Sequence, residues 1–188
     1  MGLSLGLLGR GDGKRAWRYG IIHVLAAGVG GAAVGGLLAA AGGLFGLAQW
    51  RLWIVGATAL AALGLALWLK TYQLGRQRQV PRRWARGTAP EKIYTLWGLM
   101  MGCGLYTPIY HTALMVLLAF QLTGSVGQGL ASGLLFGLAR QATALWPVAR
   151  RYDPEQTMSL LERLRPGARA LNILLIVAGL ALLAAGQR

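Results

Sequence analysis

The sequence is poor in acidic residues and in cysteine. It contains five Asp and Glu residues against 19 Lys and Arg, and one Cys among 188 residues. A single Cys excludes an intramolecular disulfide and a four-cysteine zinc site. The sequence also has no carboxylate pair, no GxSxG nucleophile elbow, no phosphate-binding loop and no paired metal ligands. We therefore expect a protein that is not an enzyme and that uses neither a cofactor nor a metal.

The abundant residues are apolar. Hydrophobic residues make up 55% of the chain, glycine occupies 29 positions, and the mean hydropathy is positive. This composition is typical of helical membrane proteins. We expect the all-α class, a polytopic membrane helix bundle in which residues 1–188 form a single integral membrane domain. The apolar runs predict about five transmembrane helices, near residues 20–47, 51–70, 93–122, 126–149 and 168–186.

The net charge of +14 is concentrated in three segments that alternate with the apolar runs. They are an N-terminal arm at 1–19 and basic loops at 71–92 and 150–167. Because Lys and Arg favour the cytoplasmic side, we expect the cell inner membrane, a cytoplasmic N-terminus and an outer C-terminus. No soluble module accompanies these segments, which argues against nucleic acid as a partner. The first loop predicts contact with anionic lipid headgroups or a partner protein, through Arg76, Arg78, Arg82, Arg83 and Arg86.

Three features of the helix pattern give expectations that a structure can test. The glycine-rich run at 20–47 fits one helix or a re-entrant pair of half helices. Asp153 and Pro154 predict the start of a short interfacial helix that Pro166 and Gly167 would end. Glycines at four-residue spacing predict close helix packing, within the chain, in a homo-oligomer or against other membrane subunits.

The third apolar run, residues 93–123, carries no formal charge and is longer than the roughly 20 residues that span a bilayer. Pro108 predicts a break in this helix, because proline removes a backbone donor and clashes with the preceding turn. The freed carbonyls must find partners inside the protein, and broken helices at membrane depth often line binding sites. The residues that we expect to line a solute pathway or bind a ligand near this break are Cys103, Thr107, Pro108, Tyr110 and His111.

Ionisable residues within membrane segments are functional candidates. His111 follows Pro108 by about one turn and either contacts a ligand or is a neutral imidazole bonded to a freed carbonyl. Arg140 lies roughly 15 Å from the inner end of the fourth helix at 1.5 Å per residue. We expect its partner to be a helix-end carbonyl, a lipid phosphate, a neighbouring subunit or an anionic ligand. Cys103 is either a reactive thiol or a small packing residue, and His23 is an interfacial or packing residue.

Residues 98–139 resemble the second half of the CcdA and DsbD transmembrane electron carriers. Thr107 and Pro108 match the Thr-Pro-Cys break of that family, and residues 124–129 match the linker to the next glycine-rich helix. Where the family has its reactive cysteine, this chain has Ile109. A thiol–disulfide relay requires two exchanging sulfurs, so the resemblance implies a related scaffold without its own dithiol relay.

Two functions follow from these patterns. The first is movement of a small solute through a pathway at the broken helix, where His111 and Arg140 are the ionisable candidates. The second is a non-catalytic structural or assembly subunit of a larger membrane protein complex, packing through its glycine faces and basic loops. The scarcity of acidic residues argues against a carrier driven through Asp or Glu relays.

Overall fold

The computed structural model describes residues 13–68, 88–104, 111–143, 145 and 154–185. This part of the chain is helical, with no strand among the described residues. It contains a short 3₁₀ helix at Leu47–Trp50 and six α-helices, which are α1 (Gly13–Leu44), α2 (Arg51–Trp68), α3 (Pro90–Gly102), α4 (Ala113–Thr123), α5 (Val126–Ala142) and α6 (Pro154–Ala185).

Within the described residues, three helical segments are long and apolar enough to cross a membrane. They are Lys14–Leu44, Leu47–Trp68 and Glu162–Ala181. Large apolar side chains on their outer surfaces are more than half exposed, including Leu25 and Leu60. Such a surface is covered by lipid in a membrane, whereas a soluble protein rarely exposes contiguous apolar patches of this kind. The expectation of an all-α membrane protein is therefore confirmed at this level.

Helix α1 is one continuous helix, so the re-entrant alternative for residues 20–47 is wrong. Its 32 residues span about 48 Å at 1.5 Å per residue. It packs against α3 on one side and α5 on another. Together these three helices form what we call the first helix group.

Glycine allows the backbones of the first group to approach closely. Gly31 faces Gly133, and Gly35 faces Gly129, so that a Cβ atom at any of these positions would strike the facing carbonyl group. The residue numbers run in opposite directions, which makes α1 and α5 antiparallel. The predicted role of the four-residue glycine spacing in close packing is confirmed for this helix pair.

The second helix group consists of α2, α4 and α6. Its buried core is formed by Ala59 and Ala62 of α2 with Ile176 of α6, and Met115 of α4 packs against them. Arg169 of α6 also donates a hydrogen bond of 3.1 Å to the carbonyl of Ala66, near the end of α2. The two groups meet mainly through α4, which contacts helices of both.

The C-terminal helix differs from the expectation. The predicted end at Pro166 and Gly167 is wrong, because α6 continues through both residues to Ala185. The predicted start of a helix at Pro154, within the basic loop, is confirmed. A proline removes one hydrogen bond to the residue four positions earlier, here Glu162. Pro166 and Glu162 are both exposed, so the freed carbonyl lies at the surface of the helix.

The third apolar run contains two helices. The predicted start at Pro90, with Glu91 in the first turn, is confirmed by α3. The helix ends at Gly102, and α4 begins at Ala113. We call residues 103–112 the interruption. Thr107, Pro108 and Tyr110 lie within 105–110, outside the described residues, so the part that Pro108 plays in the break stays a prediction.

Candidate functional site

The end of α3 lies halfway along α1. Gly102 is in contact with Ala27, and the Cys103 thiol donates a hydrogen bond of 3.5 Å to the carbonyl of Gly30. Gly104 has a φ of 72°, a left-handed conformation that glycine commonly adopts just after a helix end. The interruption therefore begins near the midpoint of α1.

Arg140 binds the end of α3 from α5. Its guanidinium donates a hydrogen bond of 3.1 Å to the carbonyl of Met101 and lies 5.9 Å from the centre of the Phe136 ring. The last four carbonyls of a helix have no partner within it, and a cation there also interacts favourably with the helix dipole. Of the four partners expected for Arg140, the helix-end carbonyl is the one that the structure shows.

Asn172 of α6 binds the beginning of α4. Its Oδ1 accepts a hydrogen bond of 2.9 Å from the backbone N–H of Ala113, and its Nδ2 donates one of 3.0 Å to Oγ1 of Thr112. Asn172 is 6% exposed and Thr112 is 2% exposed. Both bonds are thus shielded from solvent. A buried polar group that loses its hydrogen-bond partner costs more free energy than one at the surface.

Sequence analysis missed Asn172. It is the only asparagine of the chain, and it interrupts an otherwise apolar run at 170–185. This isolated polar residue could have been recognised from the sequence, because a polar side chain within an apolar span needs a hydrogen-bond partner in the protein. The partner is 60 residues earlier in the chain, which a single sequence does not reveal.

His111 occupies the last part of the interruption, directly before Thr112. It is exposed, and its backbone carbonyl accepts a hydrogen bond of 3.2 Å from the N–H of Leu114. The imidazole is therefore outside the packed core of the second helix group. The predicted contacts of Arg76, Arg78, Arg82, Arg83 and Arg86 lie outside the described residues.

His23 forms a second polar cluster, within the first helix group. It is 8% exposed, with Nε2 3.2 Å from Oε1 of Gln141 and Nδ1 3.3 Å from the carbonyl of Tyr94. The Tyr94 ring stacks on Tyr19 with 5.1 Å between ring centres. His23 is therefore a packing residue that joins α1, α3 and α5. This agrees with the expectation of an interfacial or packing role.

The site brings hydrogen-bonding groups together at the end of α3 and the start of α4. Within the described residues no group of three or more His, Cys, Asp or Glu could hold a metal ion. The two helices that flank the interruption present opposite ends to it. The C-terminal end of α3 has negative character and the N-terminal end of α4 has positive character.

Comparison with protein-family models, with curated proteins and with solved structures finds no match to this chain. The geometry of the interruption is therefore the basis on which a function is proposed.

Proposed function

We propose that the chain is a multi-pass inner-membrane protein that moves a small solute through a pathway at the interruption. In this proposal the chain crosses the membrane five times, and α3, the interruption and α4 together make the third crossing. The basic loops are cytoplasmic, the C-terminus is outside, and Pro108 maintains the break. The scaffold is related to the CcdA and DsbD carriers but transfers no electrons of its own.

One observation carries the proposal. The ends of two helices lie within the bundle, and each is bound by a polar side chain from another helix, Arg140 at α3 and Asn172 at α4. Non-helical backbone at membrane depth is tolerated only where it is buried in protein or lines a water-filled cavity. In many transporters, such interrupted helices form the substrate site near the middle of the bilayer.

The charges at the interruption indicate the class of solute. The five carboxylates are all on inner flanks or loops in the proposed topology, at Asp12, Glu91, Asp153, Glu155 and Glu162. The guanidinium at the interruption is positive at any physiological pH. A cation that passed close to it would be repelled, as cations are repelled by arginine in other pores. We therefore propose that the solute is a small neutral or anionic molecule.

Flux into liposomes tests the proposal. The purified chain is reconstituted, and the entry of glycerol, urea, chloride, nitrate and sodium is measured beside protein-free liposomes. We expect faster entry of at least one neutral or anionic solute, no effect on sodium, and loss of that flux in His111→Ala. The matched control is Ser159→Ala, an exposed hydroxyl in the first half of α6. Equal flux in wild type and His111→Ala would contradict a pathway at the interruption.

The alternative function is that of a non-catalytic subunit of a larger membrane protein complex. Extraction in a mild detergent shows whether the chain elutes alone or in a fixed ratio with larger membrane proteins. A stoichiometric complex that keeps its composition and activity in His111→Ala, together with no flux, would replace the transport proposal by the subunit function.

A further inference from the structure

We infer that Asn172 is a positioning residue of the interruption, which ties the first turn of α4, and with it the segment that carries His111, to α6. This positioning depends only on the contacts of Asn172. Its consequence for solute movement rests on the proposed function.

Both the oxygen and the nitrogen of the Asn172 side-chain amide form hydrogen bonds. A carboxamide provides an acceptor oxygen and a donor nitrogen, and here Oδ1 faces the N–H of Ala113 while Nδ2 faces the Thr112 hydroxyl. Leucine has a similar size and makes neither bond. Aspartic acid in its neutral form, which burial favours, retains both, because one oxygen accepts from Ala113 and the protonated oxygen donates to Thr112. These substitutions therefore separate hydrogen bonding from packing.

The two ends of the interruption are held by different helix groups. The end of α3 belongs to the first group, through Arg140 of α5 and through the bond from Cys103 to Gly30 of α1. The start of α4 belongs to the second group, because Ala113 and Met115 pack on the core that contains Ile176. A shift of α6 relative to α1 would carry the start of α4 and leave the end of α3 in place.

If α6 shifted in this way, α4 would pivot about its far end. Its last turns lie against the first group, where Leu122 is in contact with Gly42, and Gln121 donates a hydrogen bond of 3.3 Å to Ser132 of α5. The contact with Asn172 is at the opposite end of the same helix. The displacement is thus largest beside His111 and smallest at the Gln121 end.

Thiol labelling measures the two ends separately. The wild-type chain has a single cysteine, Cys103, which reports on the end of α3. The double variant Cys103→Ser/His111→Cys reports on the segment before α4. Each background is combined with Asn172→Leu, Asn172→Asp, Thr112→Val or Thr112→Ser, and labelling rates with a charged methanethiosulfonate are measured in liposomes. The control is Leu174→Ala, which truncates an exposed side chain on the same helix.

We expect Asn172→Leu to raise the rate at position 111 by about thirtyfold, the effect of losing two buried hydrogen bonds. Thr112→Val should have a smaller effect in the same direction, because it removes one of the two bonds. Asn172→Asp, Thr112→Ser and Leu174→Ala should stay close to the parent rate. The rate at Cys103 should be unchanged in every variant, because α3 is held by other contacts.

Two results would overturn the inference. One is an unchanged rate at position 111 in both Asn172→Leu and Thr112→Val. The other is an equal rise at positions 103 and 111, which would show general loosening of the fold. If Asn172→Leu does not assemble, Thr112→Val against Thr112→Ser decides the question alone. The same variants are also labelled with a lipophilic maleimide, which reaches residue 111 from lipid as well as from water, so a failure of the transport proposal leaves this test intact.

Discussion

The guanidinium of Arg140 donates a hydrogen bond of 3.1 Å to the backbone carbonyl of Met101, in the last turn of α3. A side chain of α5 thus stabilises the end of a helix that stops inside the bundle. Asn172 of α6 does the same at the start of α4. The end of α3 and the start of α4 are thus each held by a side chain that is distant in the sequence.

Arg140 can be tested by substitution. Arg140→Met removes the hydrogen bond to Met101 and keeps part of the packing. It should raise the labelling rate of the native Cys103 by about tenfold or more, because bonds to charged groups are worth roughly 1.5–3 kcal/mol. Arg163→Met, at an exposed position of α6, is the control. A rate at Cys103 that is the same in both variants would show that Arg140 does not hold the end of α3.

The glycine contacts between α1 and α5 predict a contrast between two similar substitutions. Gly133→Ala places a methyl group against the carbonyl of Gly31, and should destabilise the protein by about 1–3 kcal/mol. Gly64→Ala, in open space on α2, should be neutral or stabilising by up to about 1 kcal/mol. The midpoint of thermal unfolding in detergent measures both. Equal shifts for the two variants would argue against close contact of the α1 and α5 backbones.

The pair His23 and Gln141 should be energetically coupled. A double-mutant cycle with His23→Leu and Gln141→Leu should give a coupling of about 0.6 kcal/mol, and at most about 1.7 kcal/mol, as found for hydrogen bonds between membrane helices. The unfolding free energy of the four proteins provides this value. A second cycle, with Gln128→Leu at the other end of α5, should be additive. Additivity in both cycles would mean that the contact between His23 and Gln141 contributes nothing.

Much of the helical outline can be predicted from composition and local signals. The start of α3 follows from Pro90 and Glu91, which suit the first turn of a helix. The apolar runs locate α2 within two residues at each end and α1 within seven. Pro166 predicted a helix end because proline removes one hydrogen bond and its ring crowds the carbonyl four residues earlier. The helix nevertheless continues to Ala185, with Pro166 and Glu162 both exposed.

The candidate site was only partly predictable. His111 and Arg140 stand out as ionisable residues in apolar runs, and a helix-end carbonyl was among the partners expected for Arg140. The particular carbonyl, that of Met101, depends on where α3 ends, which is set by Gly102 and Gly104 and by packing on α1. The contact of Asn172 with Thr112 depends on the arrangement of α4 and α6 in space, which local sequence signals do not contain.

The most direct test of the central claim is the environment of residue 111 in the membrane. The double variant Cys103→Ser/His111→Cys is reconstituted in liposomes and treated with a charged methanethiosulfonate or with a lipophilic maleimide. A pathway at the interruption predicts rapid reaction with the charged reagent, because water in that pathway would reach the exposed side chain. Reaction with the lipophilic reagent alone would place residue 111 against lipid and contradict the proposed pathway.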